Sequence, residues 1–98
     1  MLTSVKCVEL LAGRDRCRIG NNTYLEDLGG GVFGVLLHKT HVVKVYPDGT
    51  YTLHTGGWLT ATTLARINEY GPVRLYRRQG RVYHGDGIPF TEGMRCAT

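Results

Sequence analysis

The side chains of this sequence that could do chemistry are four histidines, three cysteines and a large set of arginines. Two imidazoles, His38 and His41, stand close together in an extended, apolar stretch. If Lys39-Thr40 were a two-residue connection between strands, His38 would lie opposite His41, and two imidazoles side by side can begin a metal site. A catalytic zinc wants three protein ligands, however, and no carboxylate or cysteine is spaced to be the third. Cys7, Cys17 and Cys96 are odd in number and lack metal-ligand spacing, so the sequence implies no metal and no cofactor. Reduced thiols are expected, with a Cys7–Cys17 bridge as the alternative. Cys17 lies among arginines that could activate a thiolate, but no histidine is tied to it as a base. Serine occurs once, as Ser4, outside any nucleophile-elbow motif. Glu26 and Asp27 are adjacent, so on a strand they point to opposite faces. No catalytic residue is assigned, and the expectation is a protein that is not an enzyme.

Cation distribution is more informative. Net charge is +4, and nine of the twelve Lys and Arg residues are arginine. Seven of the nine fall in two clusters, Arg14/Arg16/Arg18 and Arg74/Arg77/Arg78/Arg81. Arg14, Arg16 and Arg18 alternate with Asp15, Cys17 and Ile19, which on a strand puts three guanidinium groups on one face. Such a ladder can hold phosphates or a partner's carboxylates; a solvated edge strand protected by charge reads the same way. In the second cluster Tyr76 and Tyr83 interleave with arginine. That pairing suits a sheet that tracks phosphates and stacks bases, and equally suits a protein–protein hot spot. The partner-binding set is therefore Arg14, Arg16, Arg18, Arg74, Arg77, Arg78 and Arg81, with Tyr76 and Tyr83 as aromatic anchors.

These residues need a scaffold, and the sequence describes one centred on His41–Thr55. Two alternating, β-branched and aromatic runs flank Pro47-Asp48-Gly49, a hairpin signature. A bulged three-residue loop pairs Tyr46 with Thr50 and Val43 with Leu53. Val43, Val45, Tyr51 and Leu53 then share a dry face, while Val42, Lys44, Tyr46, Thr50, Thr52 and His54 share the wet one. Under the Lys39-Thr40 connection Leu36 faces Val43 and Gly34 faces Val45; a one-residue slip would bring Phe33, Val35 and Leu37 inward instead.

Ser4–Leu11 reads as a first strand, and Thr23–Leu28 as another. Gly29-Gly30-Gly31 lacks the Lys-Ser/Thr ending and the helix of a phosphate loop. Gly56-Gly57 turns the chain out of the sheet toward Trp58, expected as a core plug. Residues 60–70 carry helical spacing through Leu64 and Ile67, a Thr60 or Thr62 cap, and a Gly71-Pro72 stop, with Arg66 and Glu69 pointing away. Val73–Arg77 and Arg81–His84 form a hairpin around Arg78-Gln79-Gly80, and residues 91–98 read as a flexible tail. The expected fold is a single α+β domain over residues 1–98: a small antiparallel meander of about six strands with one short helix packed on it. No apolar run is long enough to span a bilayer, and the N-terminus lacks signal-peptide features.

Five ordered motifs also resemble those of short proteins from tailed bacteriophages and prophages. They are Gly20–Leu25, Leu37–Val43, Tyr46–Thr50, Gly56–Thr63 with Arg66-Ile67-Asn68, and Gly87–Met94. Where such proteins tend to carry Asp in a Thr-Asp-Val-Val stretch, this chain has His41. The resemblance implies a small phage-encoded accessory protein in the host bacterial cytoplasm. Such proteins often act as counter-defence factors that bind and block a host protein or ribonucleoprotein complex, anti-CRISPR proteins among them. The expected mechanism is occlusion of a nucleic-acid-handling complex through the arginine-rich face, with no membrane partner. The alternative is direct, sequence-tolerant nucleic-acid binding.

Overall fold

A computed structural model of the protein describes residues 1–97. Its first element corrects the expected first strand: Ser4–Leu11 is a helix, α1. The alternation read from Val5 to Leu10 coexists with helical spacing, since Cys7, Leu10 and Leu11 fall on one face and meet the core. Thr3 caps the start by accepting the Lys6 N–H at 3.2 Å. Ala12 closes the end in the left-handed region, donating its N–H to the Val8 carbonyl. Arg14 then donates to the Leu11 and Leu10 carbonyls at 2.9 and 3.1 Å, a cation on the orphan acceptors of a helix terminus.

Six strands form the main antiparallel sheet: β1 (Arg16–Gly20), β2 (Thr23–Gly29), β3 (Val32–Leu37), β4 (Thr40–Val45), β5 (Thr50–Leu53) and β9 (Met94–Ala97). The first five are a meander, and β9 adds to the far edge beside β5. The central hairpin has the expected register, with Val43 opposite Leu53 and Val45 opposite Tyr51. Tyr46 donates to the Thr50 carbonyl, Gly49 takes φ +84°, and Asp48 accepts from the Thr50 N–H and hydroxyl.

Between β3 and β4 the register differs by one residue from the expected one. The turn residues are His38 and Lys39, and Val35 lies opposite Val43 and Phe33 opposite Val45. This slip puts Phe33, Val35 and Leu37 into the core instead of Gly34 and Leu36, which buries more apolar surface. His38 accommodates it by taking φ +55° in the turn. A bulge in β4 buries Val42 as well as Val43, so Val42 leaves the wet face assigned to it. Thr52 is also buried, its hydroxyl 3.2 Å from the Tyr46 hydroxyl.

Helix α2 (Ala61–Tyr70) starts at Thr60, whose Oγ1 accepts the Thr63 N–H, and buries Leu64, Ile67 and Tyr70. Gly71 follows it in extended backbone, where a Cβ would come within 2.8 Å of the Ile67 carbonyl oxygen. Both helices pack on the same side of the main sheet, against a row of Cys17, Leu25, Val35, Val43 and Leu53. Tyr70 and Tyr51 lock this layer through hydroxyl bonds to the Ile19 and Leu2 carbonyls.

Trp58 is not the core plug: it is 68% exposed. The two helices already seal the dry face, and Gly56-Gly57, both at positive φ, swing the indole outward. The expected tail is likewise corrected. Glu92 accepts the Thr55 N–H at 2.8 Å, the Thr55 hydroxyl and the Gly56 N–H. Gly93 donates to the Leu53 carbonyl and β9 then pairs along β5; Thr98 lies outside the described residues.

A second, three-stranded sheet comprises β6 (Leu75–Arg78), β7 (Arg81–His84) and β8 (Ile88–Pro89). Its hairpin turns on two residues, Gln79 and Gly80, both at positive φ, as a tight primed turn requires. Asn68 ties α2 to this sheet by bonding the Leu75 N–H and carbonyl at 2.6 and 2.9 Å. The architecture is a small antiparallel α+β fold.

Candidate functional site

Because strand side chains alternate, the main sheet's second face is written by the residues between the core rows. One row runs straight across all six strands: Arg16, Glu26, Gly34, Lys44, Thr52 and Arg95. Beside it runs a second row of Arg18, Tyr24, Leu36 and His41. The two helices pack on the opposite side, so no helix covers this open face; Gly34 and Thr52 lie buried beneath neighbouring side chains, and Arg16, Arg18 and Arg95 are exposed. It bears Arg16, Arg18, Lys44 and Arg95 against one carboxylate in the rows, Glu26.

Internal contacts hold these cations in place. The Arg16 guanidinium lies 4.1 Å over the Tyr24 ring while its Nε is 3.5 Å from Glu26. Glu26 also meets His41 Nε2 at 2.6 Å. At the other edge Arg95 lies 4.3 Å over the Tyr46 ring and donates to Thr50 Oγ1 at 2.6 Å. Arg18 bonds the Gly20 carbonyl and Asn21 Oδ1 at 3.1 and 3.2 Å. Each stacked guanidinium retains N–H donors not used within the protein, a chemistry suited to phosphate oxygens. Gly34 lets the His41 ring and the Leu28 side chain close over the middle row, where a Cβ would come within 2.7 and 2.9 Å of them. Toward the β4–β5 end, Lys44, His41 and His54 border a shallow hollow of about 260 Å³. Burial holds His54 below the usual imidazole range; Lys44 and His41 add to this and Glu92 opposes it.

At the end of the sheet where β1 turns into β2, a deeper cleft of about 510 Å³ opens. Asn21 and Asn22 line it from that turn, His38 from the next turn, and Trp58, Thr62 and Arg66 from the segment entering α2 and from the helix itself. Arg66, expected to point away, reaches back to donate its Nε–H to Thr23 Oγ1 at 2.9 Å, with Nη1 3.7 Å from Glu69.

The sequence-predicted binding residues divide three ways. Arg14 caps α1, while Arg16 and Arg18 stand on the open face. Arg74, Arg77, Arg78 and Arg81 are exposed at the second sheet, so the two clusters lie on different sheets. There the Tyr76 and Tyr83 rings pack with centroids 6.0 Å apart, and Tyr76 donates to the Gly85 carbonyl. Among the described residues, no carboxylate is within ion-pair distance of the Arg74, Arg77, Arg78 and Arg81 guanidiniums. Lys44 and Arg95 complete the open face. Lys44 was legible from hairpin alternation, but Arg95 lay in the segment read as a tail.

The histidine pair is separated in role: His41 faces Glu26 on the open face, whereas His38 sits in a turn at the cleft. Cys17 is buried on the dry face, so Arg16 and Arg18 beside it in sequence point the other way. All three cysteines are free thiols, and burial with Cys17 nearby pushes the Cys7 thiol up to about 11. Among the described residues, no three His, Cys, Asp or Glu side chains gather as a metal site, and no helix is long and apolar enough to cross a membrane.

No curated protein and no solved structure is a significant match to this chain. Residues 5–97 match the model of the Kyanoviridae Gp96 protein, a bacteriophage family, and the chain belongs to that family.

Proposed function

We propose that this phage protein acts by binding and not by catalysis, and that its ligand is nucleic acid laid on the open face of the six-stranded sheet. The observation that carries the reading is the row Arg16–Glu26–Gly34–Lys44–Thr52–Arg95 with Arg18 beside it. Cations spread over an antiparallel sheet face, two of them stacked on tyrosine, match a sugar–phosphate backbone better than a compact anion. Contacts of this kind are sequence-tolerant and set by charge. In a host cell, such a protein would cover nucleic acid belonging to a host complex and so occlude it, which is the counter-defence role expected of a phage accessory factor. Cytoplasmic action follows from that reading.

Salt dependence tests it. Four phosphate contacts on a single strand give a log–log salt slope of about −3. Fluorescence anisotropy with labelled single- and double-stranded DNA and RNA at several salt concentrations measures this slope. Absence of binding to all four at low salt overturns the reading.

A second reading is favoured by the other sheet. Tyr76 and Tyr83 packed together, with Arg78 and Arg81 on their strands, form the composition of a protein hot spot. Under it the same occlusion is achieved by gripping an acidic host protein surface. Pull-downs from host lysate with and without nuclease separate the two: capture lost on nuclease treatment supports the nucleic-acid reading, and capture unchanged supports the protein one.

A further inference from the structure

Trp58 is the chain's single tryptophan, and it is 68% exposed beside the 510 Å³ cleft it lines. Leaving an indole that open forgoes the burial that usually accounts for a tryptophan. The cleft's volume falls within the range of small-ligand pockets, roughly 300–1,000 Å³. Its chemistry is uneven: Trp58 supplies an aromatic face, Asn21, Asn22 and Thr62 supply neutral hydrogen-bonding groups, and Arg66 and His38 supply a cation and an imidazole. No carboxylate lines it. Arg66 is held by Thr23, which is itself fully buried, so its guanidinium is pre-positioned at the wall. The cleft lies at the end of the sheet on the helix side, and Arg18 of the open face reaches its rim by donating to Asn21 Oδ1 at 3.2 Å, so a strand leaving that face meets the cleft on rounding the β1–β2 turn.

We infer that the cleft is a pocket for one unstacked nucleotide of a single strand lying on the open sheet face. The base stacks on Trp58, the Asn21 and Asn22 amides meet its edge, and its phosphate lies toward Arg66 and the first turn of α2. This inference rests on the reading of the open face as a nucleic-acid surface and adds a defined place for a base just round the β1–β2 turn from it. It also sets a preference for single strands, since a paired base cannot leave its stack without an unstacking cost. A neutral sugar would also stack on an indole, but it would make no use of the Arg66 cation, whose partner Glu69 is an exposed side chain at 3.7 Å outside the cleft lining.

With one tryptophan in the chain, intrinsic fluorescence reads this cleft directly, while anisotropy of a labelled strand reads binding anywhere on the protein. The full chain is titrated with a short single-stranded oligonucleotide, with a free nucleoside monophosphate and with a neutral disaccharide. The expected result is quenched Trp58 emission with oligonucleotide and nucleotide and none with the disaccharide. Trp58→Ala is expected to weaken oligonucleotide binding roughly 5- to 150-fold, the range that one stacked base contributes, without loss of the fold.

Thr62→Glu sharpens the test, because its two effects have opposite sign. A carboxylate in the first turn of α2 favours the helix, so Tm holds or rises. The same charge in the cleft repels phosphate, so affinity falls. Anisotropy that reports salt-dependent binding while Trp58 emission stays constant overturns the cleft and leaves the open face standing. Absence of binding in both channels overturns the open-face reading and the cleft with it. Quenching by the disaccharide equal to that by the nucleotide overturns the nucleotide assignment.

Discussion

The two faces of the main sheet come from the same strands, one residue out of phase, and they do opposite work. On one, Leu25, Val35, Val43 and Leu53 align across four strands with no measurable exposure. On the other, their sequence neighbours Glu26, Gly34, Lys44 and Thr52 align just as strictly. The dry row sets stability and register, because a one-residue slip would exchange the two sets. Register therefore fixes the charge pattern too: the spacing of the cations is a by-product of the packing beneath them. Substitutions on the two sides should thus separate stability from binding.

The largest effect belongs to the dry face. Leu25 is fully buried in that row, and Leu25→Ala is expected to cost about 2–5 kcal/mol through lost transfer energy and the cavity left behind. Urea unfolding measures this loss, and the affinity of the folded protein should be unchanged. A large fall in affinity together with stability would mean that the two faces are not separable.

Next is the open face itself. Replacing Arg16, Arg18, Lys44 and Arg95 together by alanine should reduce the salt slope of nucleic-acid binding by about 3. Stability should change little, because exposed ion pairs such as Arg16–Glu26 contribute roughly 0–1 kcal/mol. An unchanged slope would place the anion elsewhere, and the corresponding variant of Arg74, Arg77, Arg78 and Arg81 would then test the second sheet.

A smaller effect is expected where β9 joins the sheet. Glu92 is the acceptor for the Thr55 N–H and hydroxyl, and Thr55 is 1% exposed. Glu92→Ala leaves those donors unpaired and should cost about 1–3 kcal/mol. Hydrogen exchange should show β9 amides losing protection first. If β9 protection survives, backbone pairing with β5 suffices to hold the edge that carries Arg95.

Much of this organisation was legible in the sequence, and the misreadings have physical causes. The Val43–Leu53 hairpin was readable because alternation, β-branching and Pro-Asp-Gly turn chemistry all agree. Helix α2 was readable for the same reason, with Thr60, Leu64, Ile67 and Gly71 each in a consistent place. Ser4–Leu11 misled because a short segment with apolar residues at 5, 7, 8, 10 and 11 satisfies both periods; its deciding signals were the Thr3 cap and the Arg14 contacts at the end. The β3–β4 register turned on whether His38 or Thr40 occupies the turn, a difference of one residue that only core volume resolves. Trp58 misled because burial is the usual fate of an indole, and nothing local says that the core is already full. Arg95 was hidden by a strand of four residues whose pairing is entirely long-range.

The smallest expected effect sets the two faces against each other within one side chain. His54 borders the open-face hollow with Lys44, His41 and Glu92, and burial leads the causes that hold its imidazole below the ordinary value of 6.5. As pH falls through 6.5 the unfolded chain takes up the proton first, so His54 favours the unfolded state progressively until the folded imidazole also titrates. Stability should therefore decline on acidification from 7 toward 5, with His54 contributing part of the slope. At lower pH, where the folded imidazole itself takes up the proton, His54 adds positive charge to the open face, so affinity for a nucleic-acid strand should rise there. His54→Gln should flatten both trends, read as Tm against pH and anisotropy against pH at constant salt. Loss of the stability trend with the affinity trend intact would assign the binding change to a group other than His54.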